Sequence, residues 1–177
     1  MSDNPDRLAN LATRETMLDT QLAAANAQHG LTREASEYRS IYADYAVIHR
    51  EYVELAMEGD AEALKRAMFL QWYRVTEPSF LCGVSNLNPA AEHRLLLLVD
   101  SLCESNRLDA ELSWMLPYYY LIADYYFQDE GQYPALVAHC QAQPHRGRLA
   151  QPAGFVSNGR GQMGEYWQSI FKASPVQ

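Results

Sequence analysis

The chain is predicted to be all-α: a single-domain bundle of five or six helices with a tyrosine-rich core and an irregular C-terminal arm ending in a short amphipathic helix. Three observations carry this expectation. Apolar residues recur at three-four spacing through nearly every segment, and no convincing two-residue alternation marks a strand. Capping and stop residues (Asp60, Asn88 and Asp109 at starts, Gly30, Gly59 and Gly131 at ends) fall where those periods begin and finish. With 177 residues, 48% apolar and 20% charged, the chain has the composition and size of one globular domain able to bury its own core.

Each element has its own justification. The first helix, approximately 4–29, places Pro5 in its first turn and carries a narrow seam, Leu8, Leu11, Leu18, Leu22 and Ala25, interrupted by Glu15. Such a seam suits an edge helix, or one that pairs with a copy of itself. The second, approximately 32–58, turns Ile41, Tyr45, Ile48, Tyr52 and Leu55 inward, and a row of Tyr38, Tyr42, Tyr45, His49 and Tyr52 runs beside them. Asp60 caps the third, approximately 60–76, which must end before Pro78. Residues 77–87 read as a loop, with Phe80, Leu81, Val84 and Leu87 packing it back onto the body. The fourth helix, approximately 88–105, opens with Asn88 as cap and Pro89 in its first turn. The fifth covers approximately 109–130 and a short sixth 134–142. Residues 143–177 form the Gly/Pro/Arg-containing arm, ending in a hook helix over approximately 163–173.

Seven aromatic rings lie between Trp114 and Phe127. A helix apolar on nearly every side is one surrounded by others, so this segment is expected to be the central post of the bundle. Pro117, well inside it, predicts a kink or a break, and it frees the Ser113 carbonyl, for which some donor must be found. The tyrosine hydroxyls need acceptors too, and Asp44, Asp124, His49 and backbone carbonyls are the candidates.

Chemical signatures are few. His29, His49, His93, His139 and His145 are scattered without metal-ligand spacing, so no metal is expected, and no nucleotide or cofactor fingerprint occurs; "GRGQMG" has no strand before it. Cys82 reads as a small buried residue rather than a nucleophile served by His49 or His93. Glu51, Glu54 and Glu58 read as a solvated face. Three unpaired cysteines indicate a reducing compartment, and "MSDNPDR" is not a signal peptide, so a cytoplasmic location is expected. The longest strongly apolar run without charge, Leu112 to Ala123, is twelve residues, against the roughly 20 needed to cross a bilayer.

The leading functional expectation is a non-enzymatic interaction module that associates with itself or with another protein, using its N-terminal helix and C-terminal arm. The net charge of −8 makes nucleic acid an unlikely partner. The arm has the opposite sign, since Gly131 to Gly164 holds Arg146, Arg148 and Arg160 and no acidic residue. Its hook offers Tyr166, Trp167, Ile170 and Phe171. The alternative is a small-molecule site or enzyme whose pocket, between the second and fifth helices, is lined by Tyr42, Tyr45, His49, Tyr119 and Asp124. Weak nucleic-acid binding by the arm ranks last.

Overall fold

The computed structural model describes residues 4–29, 36–127, 131–142, 152 and 154–173. Among these it contains nine helices and no strand: α1 (Asn4–His29), α2 (Ser36–Met57), α3 (Ala61–Thr76), α4 (Ser79–Cys82), α5 (Pro89–Glu104), α6 (Ala110–Ile122), α7 (Asp124–Phe127), α8 (Pro134–Ala142) and α9 (Gly161–Ala173). The all-α class stands, but the count of five or six does not. Residues 77–87 contain the short α4, the expected fifth helix divides into α6 and α7, and the hook begins at Gly161. Thr32 to Ala35, at the expected start of the second helix, and residues 128–130 lie outside the described residues.

Caps set the starts. Asp60, Asn88 and Asp109 each accept from two backbone amides of the helix they open, leaving fewer orphan donors in the first turn.

The central post is α3, not α6. Every residue from Ala63 to Trp72 is buried, including Lys65, Arg66 and Gln71. α2, α5, α6 and α9 surround it. α6 buries Leu112, Met115, Leu116, Pro117 and Tyr119 but leaves Leu121 64% and Ile122 45% exposed, and Tyr125 on α7 is 64% exposed. The apolar composition of this segment exceeds what its neighbours cover. One contiguous core runs from Leu11 of α1 to Trp167 of α9. Among the described residues no helix is long and apolar enough to cross a membrane.

The helix runs through Pro117 and breaks later, at Ala123, whose φ of −140° and ψ of 58° leave helical geometry. The donor demanded at Ser113 is His139 of α8, whose Nε2 lies 3.2 Å from the Ser113 carbonyl oxygen and donates to it as an N–H. A missing backbone donor inside α6 is thereby replaced by a side chain from the helix packed beside it.

His139→Ala is expected to destabilise the fold by about 1–2 kcal/mol, the desolvation penalty of an open carbonyl. Adding Pro117→Ala restores an N–H at that turn and recovers part of the loss. A double-mutant cycle by urea denaturation checks this, and strictly additive effects would count against the compensation.

Candidate functional site

The densest polar arrangement joins the two ends of the chain. It is built on α1 and α2, which run antiparallel. Along α2, Tyr38, Tyr45 and Tyr52 repeat every seven residues and are at most 1% exposed. Each hydroxyl donates to a side chain of α1: Tyr38 to Asn26 Oδ1 at 2.7 Å, Tyr45 to Asp19 Oδ1 at 2.5 Å and Tyr52 to Glu15 Oε2 at 3.0 Å. The acceptors for these three come from the first helix, whereas the Tyr125 hydroxyl of α7 donates to a backbone carbonyl, that of Val75 at 3.1 Å, as expected from the sequence.

Onto this ladder docks the segment Gly159–Gln162. The Gln162 backbone N–H donates to Glu15 Oε1 at 2.8 Å. Its side-chain Nε2 lies 2.6 Å from Asp19 Oδ1, 2.7 Å from the Tyr45 hydroxyl and 2.6 Å from the Cys82 carbonyl. Gly161, at φ 54°, sits so close to the Glu15 carboxylate that a Cβ there would occupy the same space. Gly164 meets the Ser157 carbonyl in the same way. In "GRGQMG", Gly161 serves the close approach of backbone to body, and Gly164 a close approach within the arm.

Beside it stands Arg160, with a side chain 8% exposed. It pairs with two carboxylates: Glu62, through Nε and Nη2 at 2.7 Å each, and Glu111, through Nη1 at 2.5 Å and Nη2 at 3.1 Å. Lys65 Nζ also reaches Glu111 at 2.6 Å, Glu62 at 3.3 Å and Asp109 at 3.6 Å. Arg66 pairs with Glu62 at 2.9 Å and donates to the Gly159 carbonyl at 2.8 Å. Burial works against the Glu62 carboxylate, but the Arg160 hydrogen bonds overcome it and hold the group below the usual carboxylate range.

Beyond Gln162, α9 joins the core through its rings. Trp167 is fully buried, 4.7 Å from the Trp114 ring and 4.9 Å from the Tyr118 ring, and its Nε1 donates to the Tyr119 hydroxyl at 3.3 Å. Tyr166 exchanges a 2.7 Å hydrogen bond with Tyr118, and Phe171 meets Phe155 edge-on at 5.2 Å. Ile170 and Phe171 pack partly buried against the core. Of the arm residues singled out in the sequence, Arg160, Tyr166, Trp167, Ile170 and Phe171 come together here. Arg146 and Arg148 lie outside the described residues.

The five pocket candidates do not share neighbours in this way. Tyr45 bonds Asp19 and Gln162, while Tyr42 stacks on Tyr38 at 6.2 Å. His49, fully buried, donates from Nε2 to Gln71 Oε1 at 3.2 Å. Tyr119 stacks on Trp72 at 4.6 Å, and Asp124 is exposed at the start of α7. Burial pushes His49 down to about 4, so it is neutral near pH 7. Burial pushes the Cys82 thiol up to about 11 and those of Cys103 and Cys140 up to about 12, which leaves none of them a ready thiolate. Glu51, Glu54 and Glu58 pair with Arg14, Arg94 and Arg7 from neighbouring helices, so this face is stitched rather than only solvated.

The residues missed in the sequence are Glu15, Asp19, Glu62, Lys65, Arg66, Glu111 and Gln162. One of them was marked: Glu15 occupies a seam position of the first helix, a place where a charge is buried.

Arg160→Met should weaken the fold by somewhat less than the ~3–5 kcal/mol of breaking a fully enclosed pair. The discount reflects carboxylate side chains that stay 25% exposed at Glu62 and 19% at Glu111. Urea midpoints measure this, and a loss below that of an ordinary surface pair would show the clasp to be decorative.

Comparisons with known proteins give no match: no family model, no curated protein and no solved structure matches the chain.

Proposed function

We propose that the chain is a non-enzymatic interaction module that associates with itself through its C-terminal hook, with the N-terminal helix as the receiving surface. The observation supporting this is the way the hook is held. Residues 155–171 dock as one segment, contacting α1 through Glu15 and Asp19, α3 through Glu62 and Arg66, and α6 through Glu111 and Tyr118. They follow the Gly/Pro/Arg-containing stretch that begins after Ala142, of which residues 143–151 and 153 lie outside the described residues. A groove that accepts the segment of its own chain presents the same groups to the segment of a second copy, and exchange of identical elements is a low-cost route to a dimer. Arg160 is committed to carboxylates in this arrangement, which leaves Arg146 and Arg148 as the arm's other arginines and disfavours the nucleic-acid reading.

The expected behaviour is a monomer–dimer equilibrium in light scattering across micromolar to millimolar protein. Deleting residues 145–150 shortens the connection and should drive the chain toward dimer. Removing 143–177 should abolish dimerisation. A full chain and a shortened chain that both stay monomeric at every concentration would overturn the proposal.

A small-ligand reading is favoured by one observation. Nδ1 of the enclosed His49 has no hydrogen-bond partner among the described residues, and neither has Nε of Arg74, whose charge acts on that histidine. A buried acceptor and a buried donor left open are what a small polar molecule satisfies. Thermal-shift screening against small polar metabolites should then raise Tm in the native chain and not in His49→Phe, and a flat response across the panel removes this reading.

A further inference from the structure

We propose that the clasp between the hook and α1 is a pH-operated latch, closed under mildly acidic conditions and loosened as the surroundings become mildly alkaline, with the enclosed carboxyls of Glu15 and Asp19 as its proton-binding groups. The proposal deepens the hook-docking reading above by giving that contact a control.

Geometry comes first. Glu15 and Asp19 stand one turn apart on α1, directly beneath Gly161 and Gln162. Glu15 is 1% exposed and, among the described residues, receives only neutral donors, the Tyr52 hydroxyl and the Gln162 backbone N–H. Asp19 receives the Tyr45 hydroxyl and the Gln162 amide on Oδ1, while its buried Oδ2 has no hydrogen-bond partner among the described residues. A carboxylate oxygen enclosed without a donor is unfavourable; the protonated acid removes the charge that demands one.

Among the described residues Arg66 is the cation that acts on Glu15, and it does so without an ion pair. From α1, Arg14 is paired with Glu51. α2 presents Tyr45 and Tyr52, both held above the usual phenol range by burial and by these carboxylates. α3 presents Arg66, whose Nη1 lies 3.3 Å from the Tyr52 hydroxyl and so acts on Glu15 from one residue away, and Tyr73. α4 presents the Cys82 thiol, pushed up to about 11 by burial. From the hook, Glu165 adds like charge to Asp19, and Arg160 is held by Glu62 and Glu111. Among the described residues neither Glu15 nor Asp19 forms an ion pair.

Burial, with Asp19 adding to it, raises Glu15 from the ordinary 4.5 to about 7. Burial likewise raises Asp19 from 3.8 to about 6. A hook that swings away returns both groups to water and to their ordinary values. Docking therefore takes up protons. A group whose docked value is raised favours the docked state fully below its ordinary value and loses that contribution as pH climbs through the docked one. The window runs from about 4.5 to about 7.

The test is hydrogen exchange of the α9 amides in the full chain, corrected for intrinsic rates, at about pH 5 and about pH 8. The docked-to-open ratio is expected to fall on the order of 10- to 100-fold across that interval. Glu15→Gln should flatten most of the dependence and Asp19→Asn a smaller part. A carboxyl-carbon NMR titration of the unaltered protein gives a readout that no misfolded variant can blur. Protection equal at both pH values, or carboxyl midpoints at ordinary carboxylate values, would overturn the latch. Light scattering on the same samples separates it from the reading it rests on. A pH-dependent hook on a permanent monomer sinks self-association alone, while a dimer whose hook ignores pH sinks the latch alone.

Discussion

Enclosing a helix on every side removes water from each polar group it carries, and each of those groups must then be handed a partner. α3 is such a helix, and its polar residues explain where its neighbours stand. Gln71 joins His49 of α2 to the Glu92 carbonyl of α5. Lys65 needs Glu111 and Asp109 from α6 and its cap. Arg66 uses Tyr52 of α2 and the Gly159 carbonyl. Around one end of α3 gather three positive groups, Lys65, Arg66 and Arg160, and three negative ones, Glu62, Asp109 and Glu111. Without Arg160 the set would carry an uncompensated negative charge in a place where water is scarce. The C-terminal segment thus completes an electrostatic balance that the body of the protein leaves one charge short.

It also completes the apolar core. Trp72 stacks on Tyr119, and the hook's Tyr166 closes on both Trp72, at 5.4 Å, and Phe69, at 5.5 Å. Rings of this size bury large areas and favour offset stacks and tilted or edge contacts, and here Tyr119 stacks on Trp72 while Tyr166 meets Trp72 edge-on and Phe69 at a tilt. A segment that supplies both a neutralising guanidinium and core rings has two independent reasons to dock, and both are present on any copy of the chain.

How much of this was legible in the sequence depends on the range of the interaction. The longer helices were, because period and caps act within a few residues, and Asp60, Asn88 and Asp109 each open one, while the four-residue α4 and α7 are too short to show a period. The need for a donor at Ser113 was also legible, since proline removes one four residues away; that His139 fills it was not. The choice of α6 as central post failed because hydropathy describes what a segment can bury, while burial is decided by neighbours. The burial of Lys65 and Arg66 was not legible, because beside the nearby Glu62 their partners stand 46 residues away at Glu111 and 93 away at Gly159. Glu15 was the readable exception. A charge on an apolar seam was taken as a defect of the seam, when it marked the seat of the hook.

The buried titratable groups pull stability in opposite directions, and this decides how the chain as a whole responds to pH. His49 is held neutral by burial, so its contribution is present above its ordinary 6.5 and lost as pH falls toward about 4. Glu15 does the reverse, losing its contribution as pH rises from 4.5 toward about 7. Over the shared interval the slope from His49 opposes those from Glu15 and Asp19, which act together, so it offsets only part of the pH dependence of global unfolding. The proposed opening of the hook lacks that offset, because it would uncover Glu15 and Asp19 while His49 stays enclosed between α2 and α3. A local equilibrium can therefore be more steeply proton-linked than the fold that contains it, and the linkage belongs to the segment that moves.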